Sequence, residues 1–161
     1  MITRRRFLAL CGAAAGTTVV AVAGTRLLPG DVAPDEGPPA IRYGAEACAA
    51  CGMMIDDARF AAAWASPRAS RHYDDIGCMV TDLLKHPAPQ DARMYVHDIE
   101  SEAWLPASDA TYLVSSAIRT PMAYGIAATA TREAADRLSA RYQAPVQAWA
   151  ALAAAPTRGR G

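Results

Sequence analysis

"RFAAAWASPRASRHYDDIGCMVTDLLKH", residues 59–86, holds the change of hydrophobic period on which the fold turns. "RFAAAWAS" (59–66) and "SRHYDD" (70–75) are short aromatic-bearing segments divided by Ser66-Pro67, the composition of a β-hairpin. From Ile76 onward the apolar residues Ile76, Met79, Val80, Leu83 and Leu84 recur at helical spacing, so a helix is predicted over 76–86, ended by Pro87. "RMYVHDI" (93–99) then reads as a strand again.

The same order recurs downstream. "ATYLVSS" (110–116) and "MAYGIAATA" (122–130) read as strands, and "TREAADRLSARY" (131–142) as an amphipathic helix with Thr131 at its N-cap and Glu133 in its first turn. "APVQAW" (144–149) is the last strand. Each half spells strand, strand, helix, strand, and each is too small to bury a good core alone. The expectation is an α+β protein of two associated ββαβ units, roughly 42–104 and 105–150, within a domain spanning 42–155. Residues 156–161 are expected to be a disordered tail.

Composition supports a folded domain: 161 residues, 52% apolar and 20% charged, with a formal net charge of zero. Without a basic excess there is nothing to neutralise phosphates, so nucleic acid is not an expected partner. The N-terminus is set apart. "TRRRFLAL" (3–10) precedes the mildly apolar "CGAAAGTTVVAVAG" (11–24), the pattern of a twin-arginine export signal, with Ala21-Val22-Ala23 as the small residues before cleavage. An uncleaved membrane anchor is the alternative. Residues 24–41, rich in proline and glycine, read as an extended tether. Loss of residues 1–23 removes Arg4, Arg5 and Arg6 and leaves 13 basic against 16 acidic residues. The expected compartment is the periplasm, which is oxidising. Cys48, Cys51 and Cys78 then remain, an odd number, and at least one thiol needs a purpose.

"CAACGMMI" (48–55) holds two of them at C-x-x-C spacing. A dithiol redox pair would sit at a helix start after a strand, but here a tether precedes the pair and Gly52 follows it. Zinc needs four donors, and Cys48, Cys51 and Cys78 with His72 or His97 would have to assemble from distant segments. A third reading uses sulfur alone: the thiolate of Cys51 and the thioether of Met53 are soft donors that select Cu(I), and Gly52 lets the backbone turn so both converge. Against this third reading, Met53 and Met54 could be ordinary core filler.

The other polar candidates have plainer readings. Asp74 and Asp75 stand where helix caps stand. Cys78 and Met79 suit a buried helix face. His72 and His97 lie on strands, His72 being the first choice if a nitrogen donor is needed, and Trp64, Trp104 and Trp149 read as core anchors. No phosphate loop and no Ser/His/Asp set appears, so the chain is not expected to be an enzyme.

Taken together, "CAACGMMI" (48–55), "YDDIGCM" (73–79) and "TPMAYGIAA" (120–128) resemble the signature segments of the NosL family, copper-binding accessory proteins of nitrous oxide reductase. The resemblance covers roughly residues 43–149. It implies two ββαβ units related to the fold of organomercury lyase. It also implies a carrier of Cu(I) that hands its ion to the assembly machinery of that enzyme, a membrane ABC-type complex, or to the apo-enzyme. By the same resemblance Cys51, Met53 and Met122 are the metal ligands with Cys48 in support; Ala49 stands where some members carry histidine. The fold kinship leaves an enzymatic alternative, in which Cys51 and Cys78 grip a metal–carbon bond and Asp74 supplies the proton.

Overall fold

Ser66 turns the first hairpin: its Oγ accepts from the backbone N–H of Arg68 at 3.4 Å and of Ala69 at 3.2 Å, leaving Pro67 and Arg68 as a two-residue loop. The strands it joins are β1 (Ala62–Ser66) and β2 (Ala69–Tyr73). Helix α1 (Ile76–Lys85) follows, with Asp75 as N-cap accepting from Gly77 N–H at 2.8 Å. Its buried Ile76, Met79 and Val80 form one face, each stabilising by about 2 kcal/mol on removal from water. The chain then enters β3 (Arg93–His97), which pairs with β1 on the side away from β2. This computed structural model describes residues 37–154; the expected leader (1–23), most of the tether (24–41) and the expected tail (156–161) lie outside the described residues.

The second half repeats the pattern with β5 (Thr111–Val114), β6 (Ile126–Thr129), α2 (Arg132–Tyr142) and β7 (Val146–Ala148). In both sheets the first strand of the unit is central, the hairpin partner lies on one side and the strand after the helix on the other: β2-β1-β3 and β6-β5-β7, all pairs antiparallel. The α+β class with two ββαβ units is therefore what the chain adopts. Thr131 caps α2 and accepts from Ala134 N–H at 3.2 Å.

Three elements were not read from the sequence. A single 3-10 turn, Ala58–Phe60, replaces the first residues of the expected strand 59–66. The strand β4 (Trp104–Pro106) adds to the edge of the first sheet by pairing with β3. The expected boundary between 104 and 105 falls inside it. Trp149, expected to end the last strand, opens a short helix, α3 (Trp149–Ala154), whose Leu152 is buried. The expected strand 122–130 forms only from Ile126, because residues 120–125 form a turn held from outside the sheet.

Alternation places the cores. On β5 and β6, Leu113 and Ala127 face Leu138 of α2, while Tyr112, Ile126 and Ala128 face the larger core shared with Ile55, Tyr73, Ile76, Met79 and Val96. The sheets meet where Asp98, just past β3, bridges Ala128 of β6: Ile99 N–H donates to Ala128 O at 2.9 Å and Ala130 N–H to Asp98 Oδ2 at 2.7 Å. On the first sheet Asp82 of α1 accepts from Tyr73 Oη at 2.7 Å and Arg71 at 2.8 Å, locking the helix to β2. The N-terminus of α1 thereby lies at the junction of the two units, against Tyr124 of the loop before β6.

Candidate metal centre

The loop carrying Cys48 and Cys51 is closed like a small hairpin. Ala47 and Met54 form an isolated bridge, Cys48 N–H donates to Met53 O at 2.8 Å, and Gly52 N–H returns to Cys48 O at 2.9 Å. Gly52 completes the turn at φ 77°, with nothing within 4 Å of where a Cβ would stand, so glycine serves the backbone conformation there. Backbone N–H groups converge on the sulfurs: those of Cys51 and Asp74 on Cys48, that of Met53 on Cys51. Ala49 N–H donates to His72 O at 2.9 Å and fastens the loop to β2.

Helix α1 supplies the opposite wall. Cys78 lies in its first turn, and Asp74 immediately precedes the cap. One ligand atom each from Cys48, Cys51, Asp74 and Cys78 lies within 4.8 Å of all the others. The Cys51 thiol donates to Asp74 at 3.4 Å and 3.5 Å to the two oxygens. The Cys78 thiol hydrogen-bonds Cys48, which is the chief reason the Cys48 thiol is lowered to about 6; the same bond, then burial, pushes Cys78 up. Burial first, then a hydrogen bond with the Cys48 sulfur and the charges of Cys48 and Asp74, pushes Cys51 up to about 11 against the Met53 N–H. Of the three thiols, Cys48 is the one whose surroundings favour the thiolate.

The adjacent cap does a second task. Asp75 is fully buried, and burial raises its pKa against hydrogen bonds that lower it. Besides Gly77 it accepts from Thr120 Oγ1 at 2.6 Å and from Met122 N–H at 3.1 Å. One carboxylate therefore fixes both the start of α1 and the loop that bears Met122.

The expected ligands divide by exposure. Cys48 is buried and Cys51 half-buried, and Met122, half-buried, packs against the core cluster that contains Cys48 and Cys78. Met53 is 58% exposed, so it is not core filler. With Met54, Asp74, Thr120 and Pro121 it lines an open cavity of about 420 Å³. His72 lies outside the four-donor cluster; its Nδ1 binds Glu46 at 2.8 Å and its Nε2 is buried with no hydrogen-bond partner among the described residues. His97 is structural: Nδ1 donates to Glu102 O and Nε2 accepts from Tyr43 Oη, both at 2.7 Å, which assigns a neutral ring, and burial lowers its pKa accordingly. Trp64 is buried and donates to Tyr73 Oη, Trp104 stacks on His97, and Trp149 packs on Tyr112.

Asp74 and Cys78, which the sequence reading named only in the zinc and enzymatic alternatives and kept out of the copper ligand set, both join the cluster. The available signal was their spacing: four positions apart around a helix start, they fall on one side of it, toward whatever loop covers that end. Asp75, not Asp74, is the cap.

Chemically, three thiols and a carboxylate are a soft set with one hard member. They fit a thiophilic monovalent ion through sulfur, zinc through all four groups, or a metal–carbon centre through two thiols with an acid alongside. The NosL family model matches residues 41–155. No curated protein matches the chain significantly. Among solved structures, the crystal structure of the copper chaperone NosL from Shewanella denitrificans shares the fold at a TM-score of 0.60 and 18% identity, covering 71% of this chain and 94% of that one.

Proposed function

The chain belongs to the NosL family, and from that membership we propose that it carries Cu(I) in the periplasm and passes it on for maturation of nitrous oxide reductase. The observation that carries the reading is the position of Cys51: a half-buried thiol tied to Asp74, which lines an open cavity together with the solvent-exposed Met53. Cys51, Met53 and Met122 are the ligands, with Cys48 in support. A low-coordinate sulfur site open on one side binds a soft ion and still lets a competing thioether or thiolate take it. The receiver is the membrane ABC-type assembly complex or the apo-enzyme, and the chain acts as a carrier rather than a catalyst. The twin-arginine leader supports the periplasmic assignment.

Anaerobic titration with Cu(I) against a competing chelator tests the reading. One Cu(I) per chain is expected, with affinity reduced at least tenfold, about 1.4 kcal/mol, in Met53→Leu. The four-donor geometry favours a second reading, zinc held by Cys48, Cys51, Cys78 and Asp74. That reading prevails if the domain takes Zn(II) in preference to Cu(I), with Asp74→Asn weakening it and Met53→Leu leaving it unchanged.

A further inference from the structure

The three cysteines are not equivalent. Cys48 and Cys78 are 3% and 2% exposed and hydrogen-bonded to each other through sulfur, while Cys51, which also shares a hydrogen bond with the Cys48 sulfur, is the accessible one and turns its thiol to Asp74. We propose that Cys48 and Cys78 form a disulfide by exchange with a small-molecule or protein disulfide, leaving Cys51 as the free thiol of the site.

The route follows accessibility. Cys51, the accessible thiol, passes its proton to the Asp74 carboxylate it already touches and attacks the incoming disulfide, expelling one thiolate and forming a mixed disulfide. Cys48 then attacks Cys51 Sγ and expels the second thiolate; Cys78 attacks Cys48 Sγ and returns Cys51 as a thiolate. One external disulfide is reduced to two thiols, two protein thiols are oxidised, and their protons leave on the released thiols. All three sulfurs lie within 4.8 Å of one another, so each bond closes by a movement of under about 3 Å to the usual S–S length.

The contacts place the final bond at Cys48–Cys78 rather than within the C-x-x-C pair. A Cys48–Cys51 bond would break the Cys51–Asp74 contact and take from the buried Cys78 thiol its sulfur partner, leaving it Asp74 alone. The bond ties the N-terminal loop to α1 and accounts for the odd cysteine: two sulfurs hold the site together and the third stays free beside Asp74.

The pairing itself rests on the sulfur geometry alone; only its consequence for the ion rests on the copper reading. The test treats the full chain with oxidised glutathione, blocks remaining thiols with iodoacetamide in denaturant, and maps tryptic peptides without reductant. Cleavage at Arg42, Arg59, Arg71 and Lys85 puts Cys48 and Cys51 on peptide 43–59 and Cys78 on peptide 72–85, with Cys11 on a separate peptide. The expected product joins the first two through Cys48, with Cys51 alkylated, and the same link forms in Cys51→Ser more slowly. An internal Cys48–Cys51 loop with Cys78 alkylated, or alkylation at all three, overturns the proposal. Cu(I) titration of the cross-linked chain separates the two ideas: uptake of one Cu(I) supports both, whereas the link without uptake leaves the pairing standing and removes the copper reading of Cys51.

Discussion

Two glycines beside the site carry different burdens. Gly52 sits at φ 77° in open space, so Gly52→Ala adds only the left-handed penalty, about 1–2 kcal/mol. Gly77 is needed for room: a Cβ there would stand 2.1 Å from Tyr124 Cγ, in the loop that also carries Met122. Gly77→Ala is expected to lower stability by about 1–3 kcal/mol through overpacking, and truncating the neighbour in the pair Gly77→Ala/Tyr124→Ala should recover part of the loss. Urea denaturation of the four chains measures both; strictly additive losses would mean that the two residues do not meet. At this scale "CGM" stands out because it puts a thioether where zinc and dithiol sites have no use for one, and the structure holds that thioether in solvent on a cavity Asp74 also lines. Cys78 was not, since in sequence a cysteine on an apolar helix face looks like any small buried residue, and only the fold brings a second sulfur to it. Asp74 was read as one of two equivalent caps, and separating it from Asp75 required the backbone direction at the helix start.

At the scale of elements, α1 is held to β2 by one carboxylate. Asp82 accepts from Tyr73 at 2.7 Å, Arg71 at 2.8 Å and His86 at 2.9 Å. Burial works to raise its pKa, yet the hydrogen bonds from Tyr73, His86 and Arg71 prevail and lower it. A lowered folded value stabilises above the unfolded carboxylate pKa of about 3.9 and is lost as pH falls through the lower folded value. Asp82→Ala also leaves the Tyr73 hydroxyl buried with one partner fewer, so a loss of about 2–3 kcal/mol at neutral pH is expected, shrinking as the pH is taken down toward 3. Thermal melts of both chains across pH 3–7 check it; a difference independent of pH would assign the loss to packing instead. The hairpin, both long helices and their caps were readable because period, turn residues and caps agree there. β4 and α3 were not: three-residue pairing and a six-residue helix are too short for periodicity, and each exists because a neighbour, β3 or the Tyr112 side of the core, receives it.

For the molecule as a whole, the repeat of strand order in two small sheets predicts interdependence, and Asp98 is where it is enforced. Its carboxylate accepts from Glu100 N–H and Ser101 N–H at 2.8 Å and from Ala130 N–H beyond β6 at 2.7 Å. Burial opposes the charge, but these backbone donors outweigh it and keep the pKa low, so this contribution too is present at neutral pH and fades in acid. The wild-type domain should unfold in one transition by tryptophan fluorescence and far-UV circular dichroism alike. Asp98→Ala is expected to cost about 2–3 kcal/mol, and two separated transitions in the wild type would show that the halves fold independently.

The same interdependence creates the candidate metal centre, since the donor loop lies before β1, Cys78 and Asp74 belong to the start of α1, and the loop carrying Met122, proposed as a further ligand, is fastened there by its hydrogen bond to Asp75. The central claim is that this junction holds Cu(I) through Cys51 and Met53. Its most direct test is the copper stoichiometry of the double variant Cys51→Ala/Met53→Ala under anaerobic, reducing conditions beside the wild type. One Cu(I) per wild-type chain is expected, and almost none in the double variant at unchanged fold by circular dichroism; a double variant that still retains one Cu(I) against the chelator would contradict ligation by Cys51 and Met53.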